Sequence, residues 1–485
     1  MCKNPYDVII IGAGVVGCAC GRELSKYKLN VAVLEKNTDV SEGISKGNSG
    51  VVHAGFYVPY GTLKAKTNVE GSFLIPKLAA ELNFPYKKIG KLVISNDKYG
   101  MKELKKLKEI GDKNGCIGLE IITEKQISHI EPKVKAKYAL FSKETAAISP
   151  YLFTIALAEN ALKNGVEFFL NHEVIKIWKD KEFFVQTKRD TFHSRWLINT
   201  AGLYSDKISC LAGDKNHKIF PCRGEYLVTD KDNEKIINRM IYPIPPKDGM
   251  SLGVHITPTT DGNILIGPSA EFINNYGLKN TEQFLDGMKE DALTMVPELK
   301  KLPIIHTYSG IRPKLIYTKT KEDFRDFVIE ESKIVPKLIN IIGIESPGLA
   351  AAPAIANLIL NVIGNKENLN KNEQFDAYNP KKLDFQSLSV EEKKELIKKN
   401  PSFGEIICRC ETITKGELLN AINNPLGVKT MDGIKRRCRA GMGRCQGGFC
   451  TPRTIKILRR EYGIKEKDIL KNENNSNLFF GKIKG

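Results

Sequence analysis

"DVIIIGAGVVGCACGRELSKYKLNVAVLEK", residues Asp7 to Lys36, decides the fold at the front of the chain. Val8 to Ile11 is an apolar run of buried-strand type, and Gly12-x-Gly14-x-x-Gly17 makes a turn. Cys18 to Tyr27 reads as a helix, and Val31 to Leu34 is a second buried strand ending in Glu35 and Lys36. The first two glycines allow a tight turn and close approach of backbone to a pyrophosphate, while the third lets the helix pack on the strand. The helix N-terminus offers N–H groups and positive potential to phosphates. Glu35 falls where a carboxylate accepts hydrogen bonds from both ribose hydroxyls, which disfavours the 2′-phosphate of NADP. A glycine triplet alone is weak; strand, turn, helix, strand and acid together specify a dinucleotide site. FAD and NAD satisfy it equally.

Other segments separate the two. "SKGNSGVVHAGFY" (Ser45 to Tyr57, with Asn48, Ser49 and Gly50) is a small-residue stretch of the kind that passes close to a cofactor. "WLINTAGLYSDKI" (Trp196 to Ile208) is a strand running into Thr200, Ala201 and Gly202. "INIIGIESPGLAAAPAIANLIL" (Ile339 to Leu360) reads as a strand, a Glu-Ser-Pro-Gly turn and an alanine-rich helix that includes Gly348 and Leu349. In these segments the sequence resembles the glutathione-reductase-type flavoproteins and, more narrowly, the D-amino-acid-oxidase-like superfamily. The resemblance implies FAD, with the Thr-Ala-Gly segment in the FAD domain and Val174 as a further contact. It also implies that the late helix points its N-terminus at the flavin N1–C2=O edge, where reduced flavin is anionic and a helix N-terminus stabilises the charge.

The expected fold is α/β: a discontinuous Rossmann-like FAD-binding domain of glutathione-reductase type, from residues 1–90, 150–215 and 336–365. Residues 91–149 and 216–335 would form an α+β substrate domain with an antiparallel sheet over the flavin. "KIFPCRGEYLVTD" (Lys218 to Asp230) and "GMSLGVHITPTTDGNILIGPSA" (Gly249 to Ala270) have the alternation of such strands. Residues 366–402 are polar and read as a linker with one surface helix. Residues 403–463 form a small helical cysteine module, and 464–485 an asparagine-rich tail.

Composition bounds the rest. The 485 residues exceed one small core, and 41% hydrophobic with 27% charged residues is ordinary for a globular protein. The net charge of +18 comes from lysines spread along the chain rather than from one nucleic-acid-like patch, so nucleic acid is not an expected partner. Eleven cysteines, an odd number in a long chain, argue against a secreted disulfide framework and for a reducing cytoplasm. Cys18 and Cys20 read as structural. The glycines of the first motif exclude a signal peptide, and no stretch reads as a transmembrane helix.

Three basic residues stand out in the middle: His53, His255 in "GVHITP" and Arg312 in "YSGIRPKL". Arginine beside a flavin holds a carboxylate or phosphate with two prongs, and a histidine takes a hydroxyl proton as hydride leaves the same carbon. "NSGVVHAGFYVPYGTLKAKTNVEG", "RGEYLV", "LGVHITPTTDGNILIGP" and "GIESPGLAAAPAIA" resemble the subgroup of L-2-hydroxyglutarate oxidases and glycerol-3-phosphate dehydrogenase-like flavoproteins. That resemblance implies oxidation of a secondary alcohol on a small anionic 2-hydroxy substrate. It makes His53, His255 and Arg312 the catalytic candidates, with Arg223, Glu225 and Tyr226 near the flavin. The loop "HAGFYVPYGTLKAK" is closer to the hydroxyglutarate oxidases and leaves phosphate and dicarboxylate both open.

The chain closes on Cys408-x-Cys410 and Cys445-x4-Cys450, paired thiolates at chelating spacing. Spacing alone admits zinc or iron and sulfur. "GMGRCQGGFC" as a block resembles the bacterioferritin-associated-ferredoxin-like domain, which implies a [2Fe-2S] cluster on these four cysteines, with Cys438 a bystander. Twelve Lys/Arg against five Asp/Glu between 403 and 463 suit an anionic cluster, and the glycines let backbone N–H groups reach the sulfurs. An oxidase needs no such wire to oxygen, so the module argues for a dehydrogenase. The whole arrangement resembles anaerobic glycerol-3-phosphate dehydrogenase large subunits, which implies electron-relay partner subunits and a peripheral place at the inner face of the membrane. The reading that emerges is oxidation of sn-glycerol 3-phosphate to dihydroxyacetone phosphate. An L-2-hydroxyglutarate dehydrogenase is its rival. A non-catalytic flavin and iron-sulfur electron carrier is the alternative of another class.

Overall fold

The computed structural model describes residues 5–246, 252–274, 276–278, 280–315 and 325–481. Gly249, Met250 and Ser251, the start of one expected strand segment, lie outside them. The opening motif folds as β1 (Tyr6–Ile11), α1 (Val15–Leu24) and β2 (Val31–Leu34), with β1 and β2 parallel and Ile11 opposite Leu34. Strand Thr191–Asn199 lies parallel on the other side of β1, so Thr200 arrives beside the glycine turn. An eight-stranded sheet grows from this centre, adding Val174–Lys179, Phe183–Thr187, Glu167–Phe169, Val328–Glu331 and Leu338–Ile342. Its central parallel strands β1, β2 and Leu338–Ile342 carry nearly continuous apolar runs, because helices cover their face. Val8, Ile10 and Val33 pack in one core with α1, helix Pro150–Lys163 and the alanine-rich helix Gly348–Gly364.

A nine-stranded sheet forms the second layer, centred on β3 (Phe220–Lys231) and β4 (Ile304–Lys314). These two run antiparallel over ten residue pairs, from Phe220 opposite Lys314 to Thr229 opposite Ile304. The sheet is mixed rather than purely antiparallel, since Met240–Pro243 lies parallel to Lys91–Ser95. Two strands so far apart in sequence are joined by long crossovers, which alternation within either strand does not reveal.

Three expected boundaries differ from the structure. Val328–Glu331 pairs antiparallel with Leu338–Ile342 in the first sheet, so that sheet takes in residues before 336. The presumed linker is pinned along its first part. Lys28 N–H donates to Asn370 O at 2.8 Å, Asn372 N–H to Lys26 O at 2.8 Å, and the Asn379 amide to Ala156 O at 2.9 Å. Asparagines here satisfy backbone groups of the first core, a function that polarity alone reads as a linker. The third difference concerns the tail. Ile469 is buried in the core of the cysteine module, Leu478 packs against it, and Leu470 and Asn477 form a β-bridge. Isolated apolar residues in an asparagine-rich stretch were enough to fold it back.

Candidate active site

Between the two sheets lies a cavity of about 1220 Å3. Its floor is the glycine turn. Gly12 has φ +106°, and a Cβ there would stand 2.7 Å from Thr200 O; one at Gly17 would stand 2.0 Å from Gly12 O. Only a bare backbone fits, and the space it leaves is a cradle for a pyrophosphate. Gly12, Gly14, Glu35, Lys36, Asn48, Ser49, Val174, Thr200, Ala201, Gly202, Gly348 and Leu349 all line this cavity. Gly17 and Gly50 do not: Gly17 holds α1 against the turn, and Gly50 accepts a bond from Ile148 N–H. Glu35 is buried and accepts from the Ala13 and Asn37 N–H groups at 2.8 and 2.9 Å. Burial pushes its carboxyl up, against the pull of those two donors. Helix Gly348–Gly364 starts in the cavity wall without a side-chain cap; its Gly348 N–H donates to Glu345 O at 2.6 Å, and its N-terminal end carries the positive pole of the helix to that wall.

His53, His255 and Arg312 line the same cavity. His255 stacks on Tyr242, ring centroids 3.9 Å apart. Its Nδ1 stands 3.1 Å from Gly253 O, and this fixes Nδ1 as the protonated nitrogen and leaves a lone pair on Nε2, 3.5 Å from Ser49 Oγ. Burial drives its pKa down to about 3. The Nδ1 of His53 lies 3.4 Å from the Lys91 Nζ, whose amine burial holds well below its ordinary value, so either nitrogen can be the donor. Burial, with Lys91 and His255 beside it, holds His53 well below its ordinary value. The two imidazoles are therefore neutral, and His255 keeps an acceptor nitrogen at Nε2. Arg312 donates from Nη2 to Ser269 O at 3.1 Å, and a Cβ on Gly224 would stand 2.5 Å from that same nitrogen. The glycine makes room for the guanidinium.

Of the second group, Tyr226 alone faces the cavity. Arg223 and Glu225 sit on the opposite face of β3, where Arg223 pairs with Glu271 at 2.5 Å and Glu225 accepts from Thr281. Alternation along a strand sends residues 224 and 226 one way and 223 and 225 the other, so the expectation of these two beside the flavin is corrected.

Several residues at this site carry no sequence signal. Lys91 is fully buried, its Nζ 4.4 Å from the Phe56 and Tyr57 ring centroids and 4.8 Å from that of Tyr242. Glu345 is held between Lys64 and Lys314, each at 3.0 Å. Despite burial, the two lysines pull its carboxyl down to about 2. Asn68 is buried in the cavity wall, and among the described residues neither of its side-chain atoms has a partner.

The four C-terminal cysteines come together from a short strand, a glycine loop and a helix start, Ile406–Cys408, Cys445 and Cys450–Tyr462. They stand as two hydrogen-bonded thiol pairs, Cys408 with Cys450 and Cys410 with Cys445. Cys450 and the Gly441 and Glu411 N–H groups bring Cys408 down to about 6. The Phe449, Gly447 and Gly448 N–H groups lower Cys445. Among the described residues no trio of His, Cys, Asp or Glu is arranged around one ion. Two thiol pairs suit two irons, two thiolates each, better than a single tetrahedral zinc. Cys438 is apart from them, its Sγ–H donating to Ile434 O at 3.3 Å, and burial pushes its thiol up to about 12.

The module is fastened to the first layer through α2 (Met431–Cys438). Fully buried Asp39 accepts from Arg437 at 2.7 and 2.9 Å and from Arg436 at 2.9 Å. Arg439 bonds Glu411 and Asp261, and Arg444 donates to Asp230 at 2.6 Å.

Residues 7–361 match the FAD dependent oxidoreductase family. The chain belongs to that family. Residues 406–460 of this FAD-dependent oxidoreductase match the BFD-like [2Fe-2S] binding domain, so it carries both cofactor domains. It is 43% identical over 484 residues to a glycerol 3-phosphate dehydrogenase of Caloramator mitchellensis, covering 99% of each chain. It is 31% identical to a mitochondrial L-2-hydroxyglutarate dehydrogenase of Caenorhabditis briggsae, over 73% of this chain and 92% of that one. Among solved structures, the FAD-bound L-alpha-glycerophosphate oxidase of Mycoplasma pneumoniae superposes with a TM-score of 0.71 at 29% identity, covering 78% of this chain and 99% of that chain. Among the described residues no helix is long and apolar enough to cross a membrane.

Proposed function

We propose that this oxidoreductase is a dehydrogenase that converts sn-glycerol 3-phosphate to dihydroxyacetone phosphate and passes the electrons through its [2Fe-2S] module. The carrying observation is one cavity lined by a charged Arg312 and two neutral imidazoles, of which His255 keeps an acceptor nitrogen. Bound FAD supplies the hydride acceptor. Arg312 holds the phosphate with its two-pronged guanidinium and so turns the secondary alcohol toward the histidines. His255 Nε2 takes the hydroxyl proton, which its neutral state permits. His53, in its Nε2–H tautomer, donates to the same oxygen as it becomes a carbonyl. The uncapped first turn of helix Gly348–Gly364 places positive potential where negative charge gathers. Tyr57, Tyr242 and Phe56 close the site from water around Lys91. Cys408, Cys410, Cys445 and Cys450 would hold the cluster.

The end-to-end likeness to a glycerol 3-phosphate dehydrogenase supports this reading, module included. An L-2-hydroxyglutarate substrate is the second reading, favoured by the hydroxyglutarate dehydrogenase relatives, and would set a carboxylate on Arg312. Anaerobic bleaching of the visible flavin band separates them. Bleaching by glycerol 3-phosphate alone supports the first reading, and bleaching by L-2-hydroxyglutarate alone replaces it. If neither bleaches a protein that holds both cofactors, the electron-carrier alternative stands instead.

A further inference from the structure

Three tyrosines, Tyr226 in the cavity wall and the half-buried Tyr308 and Tyr151 beyond it, have no part in the chemistry above. Tyr226 lines the cavity and stacks on Tyr308, ring centroids 4.8 Å apart and 12° from parallel. Tyr308 is directly opposite Tyr226 on the neighbouring strand, and its hydroxyl donates to the backbone oxygen of the cavity residue Asn48 at 2.9 Å. Tyr151, in the first turn of helix Pro150–Lys163, donates to Met442 Sδ at 3.6 Å. Burial, with Tyr226 and Tyr151 as neighbours, keeps the Tyr308 phenol protonated far beyond its ordinary value. Tyr151 is raised by burial as well. Met442 sits between Gly441, whose N–H meets the Cys408 sulfur, and Gly443, where an added Cβ would strike the Cys410 Cβ at 2.4 Å. Around this seam the module is bound by charged pairs, and the Tyr151 hydroxyl itself borders Arg439 and Asp261; between them the tyrosine rings and the Met442 thioether span the join.

We propose that Tyr226, Tyr308, Tyr151 and Met442 form the route along which electrons cross from the flavin cavity to the iron-sulfur module. The inference rests on the reading that electrons leave through the cluster. Tunnelling decays less steeply through close-packed protein atoms than across voids, and side chains in contact supply such a medium. The phenols keep their protons, so they serve as a medium and are not themselves oxidised. The balance closes simply. One substrate alcohol gives up two electrons and two protons. The route carries the electrons singly, each turning one ferric iron ferrous and then leaving to a one-electron carrier protein, while the protons pass to water. Tyr151 and Met442 are positioning residues, since neither touches substrate or the cavity.

The test is a single turnover without oxygen or carrier, in the full-length protein loaded with both cofactors and mixed with whichever substrate bleaches its flavin. Flavin bleaching is followed optically and the reduced cluster by electron paramagnetic resonance after rapid freezing. In Tyr151→Leu the cluster signal should lag several-fold behind that of the unaltered protein. Bleaching rate, iron content and the equilibrium potentials of both centres should stay as they were. Tyr151→Phe, which keeps the ring, should recover most of the rate. Met442→Leu offers the same reading should Tyr151→Leu not fold. Equal cluster reduction in the unaltered protein and in the Leu variants overturns the route. Bleaching of the unaltered protein without any cluster signal overturns the handover itself, a different failure.

Discussion

The flavin layer and the iron-sulfur module are built on opposite principles. The first is held by burial: β2 is apolar throughout, β1 and α1 nearly so, and their core joins residues from Val8 to Ile363. The second has a core of twelve residues, several of them near the cysteines, and relies on thiolates and on charged pairs to its neighbour. A large apolar core tolerates the loss of any one contact, whereas a small module is dominated by its few strong ones. Their cofactors should therefore be separable by single substitutions.

The largest effect expected is on the module. Cys445→Ser should remove the iron signal while FAD stays bound at full stoichiometry, read by iron analysis and the flavin spectrum. Iron at full occupancy would show the ligand set to be another. Within the cavity, His255→Gln should slow flavin bleaching by about 10²–10⁴-fold, the usual contribution of a general base, with FAD content unchanged. A smaller loss than in His53→Gln would reverse the roles given to the two rings. At the join, Asp39→Asn leaves Arg436 and Arg437 buried and undercompensated. It should cost roughly 3–5 kcal/mol of interface stability, the range for a broken buried pair. Differential melting of the iron chromophore against the flavin measures it. Coincident, unshifted transitions would mean that the module is held by something other than this latch.

The smallest effect concerns pH. A histidine with a depressed folded pKa stays neutral until pH falls to that value, here about 3 for His255, rather than near the ordinary 6.5. The limiting bleaching rate at saturating substrate should thus hold level as pH falls through that ordinary range. The same depression makes this ring's share of folding stability shrink as pH drops below about 6.5 toward 3, because the unfolded chain binds the proton first. An inflection of the bleaching rate between pH 6 and 7 would place the base in a more exposed setting.

Much of this molecule follows from residues close together in the chain. The glycine turn and Glu35 are local, because a pyrophosphate needs bare backbone at fixed spacing, and Gly12, Gly14, Thr200 and Gly348 duly meet at one cavity. The two cysteine pairs announce a metal site through spacing alone. What local sequence does not carry is side-chain partnership across strands. Arg223 and Glu225 read as site residues until the pairing of β3 turned them to the far face. Lys91, on an ordinary strand, became a buried neighbour of His53 only when that strand packed beneath the loop. Asn372 and Asn379 looked like linker and proved to be ties; Ile469 looked like tail and proved to be core. The sequence by itself determined that there is a dinucleotide site and a four-cysteine metal site, since those depend on residue type at short spacing, and its resemblances pointed to FAD and [2Fe-2S]. The tertiary structure alone decided which histidine carries the free lone pair, how the module is latched and what lies between the two centres, because these depend on residues hundreds of positions apart being brought within a few ångströms by packing.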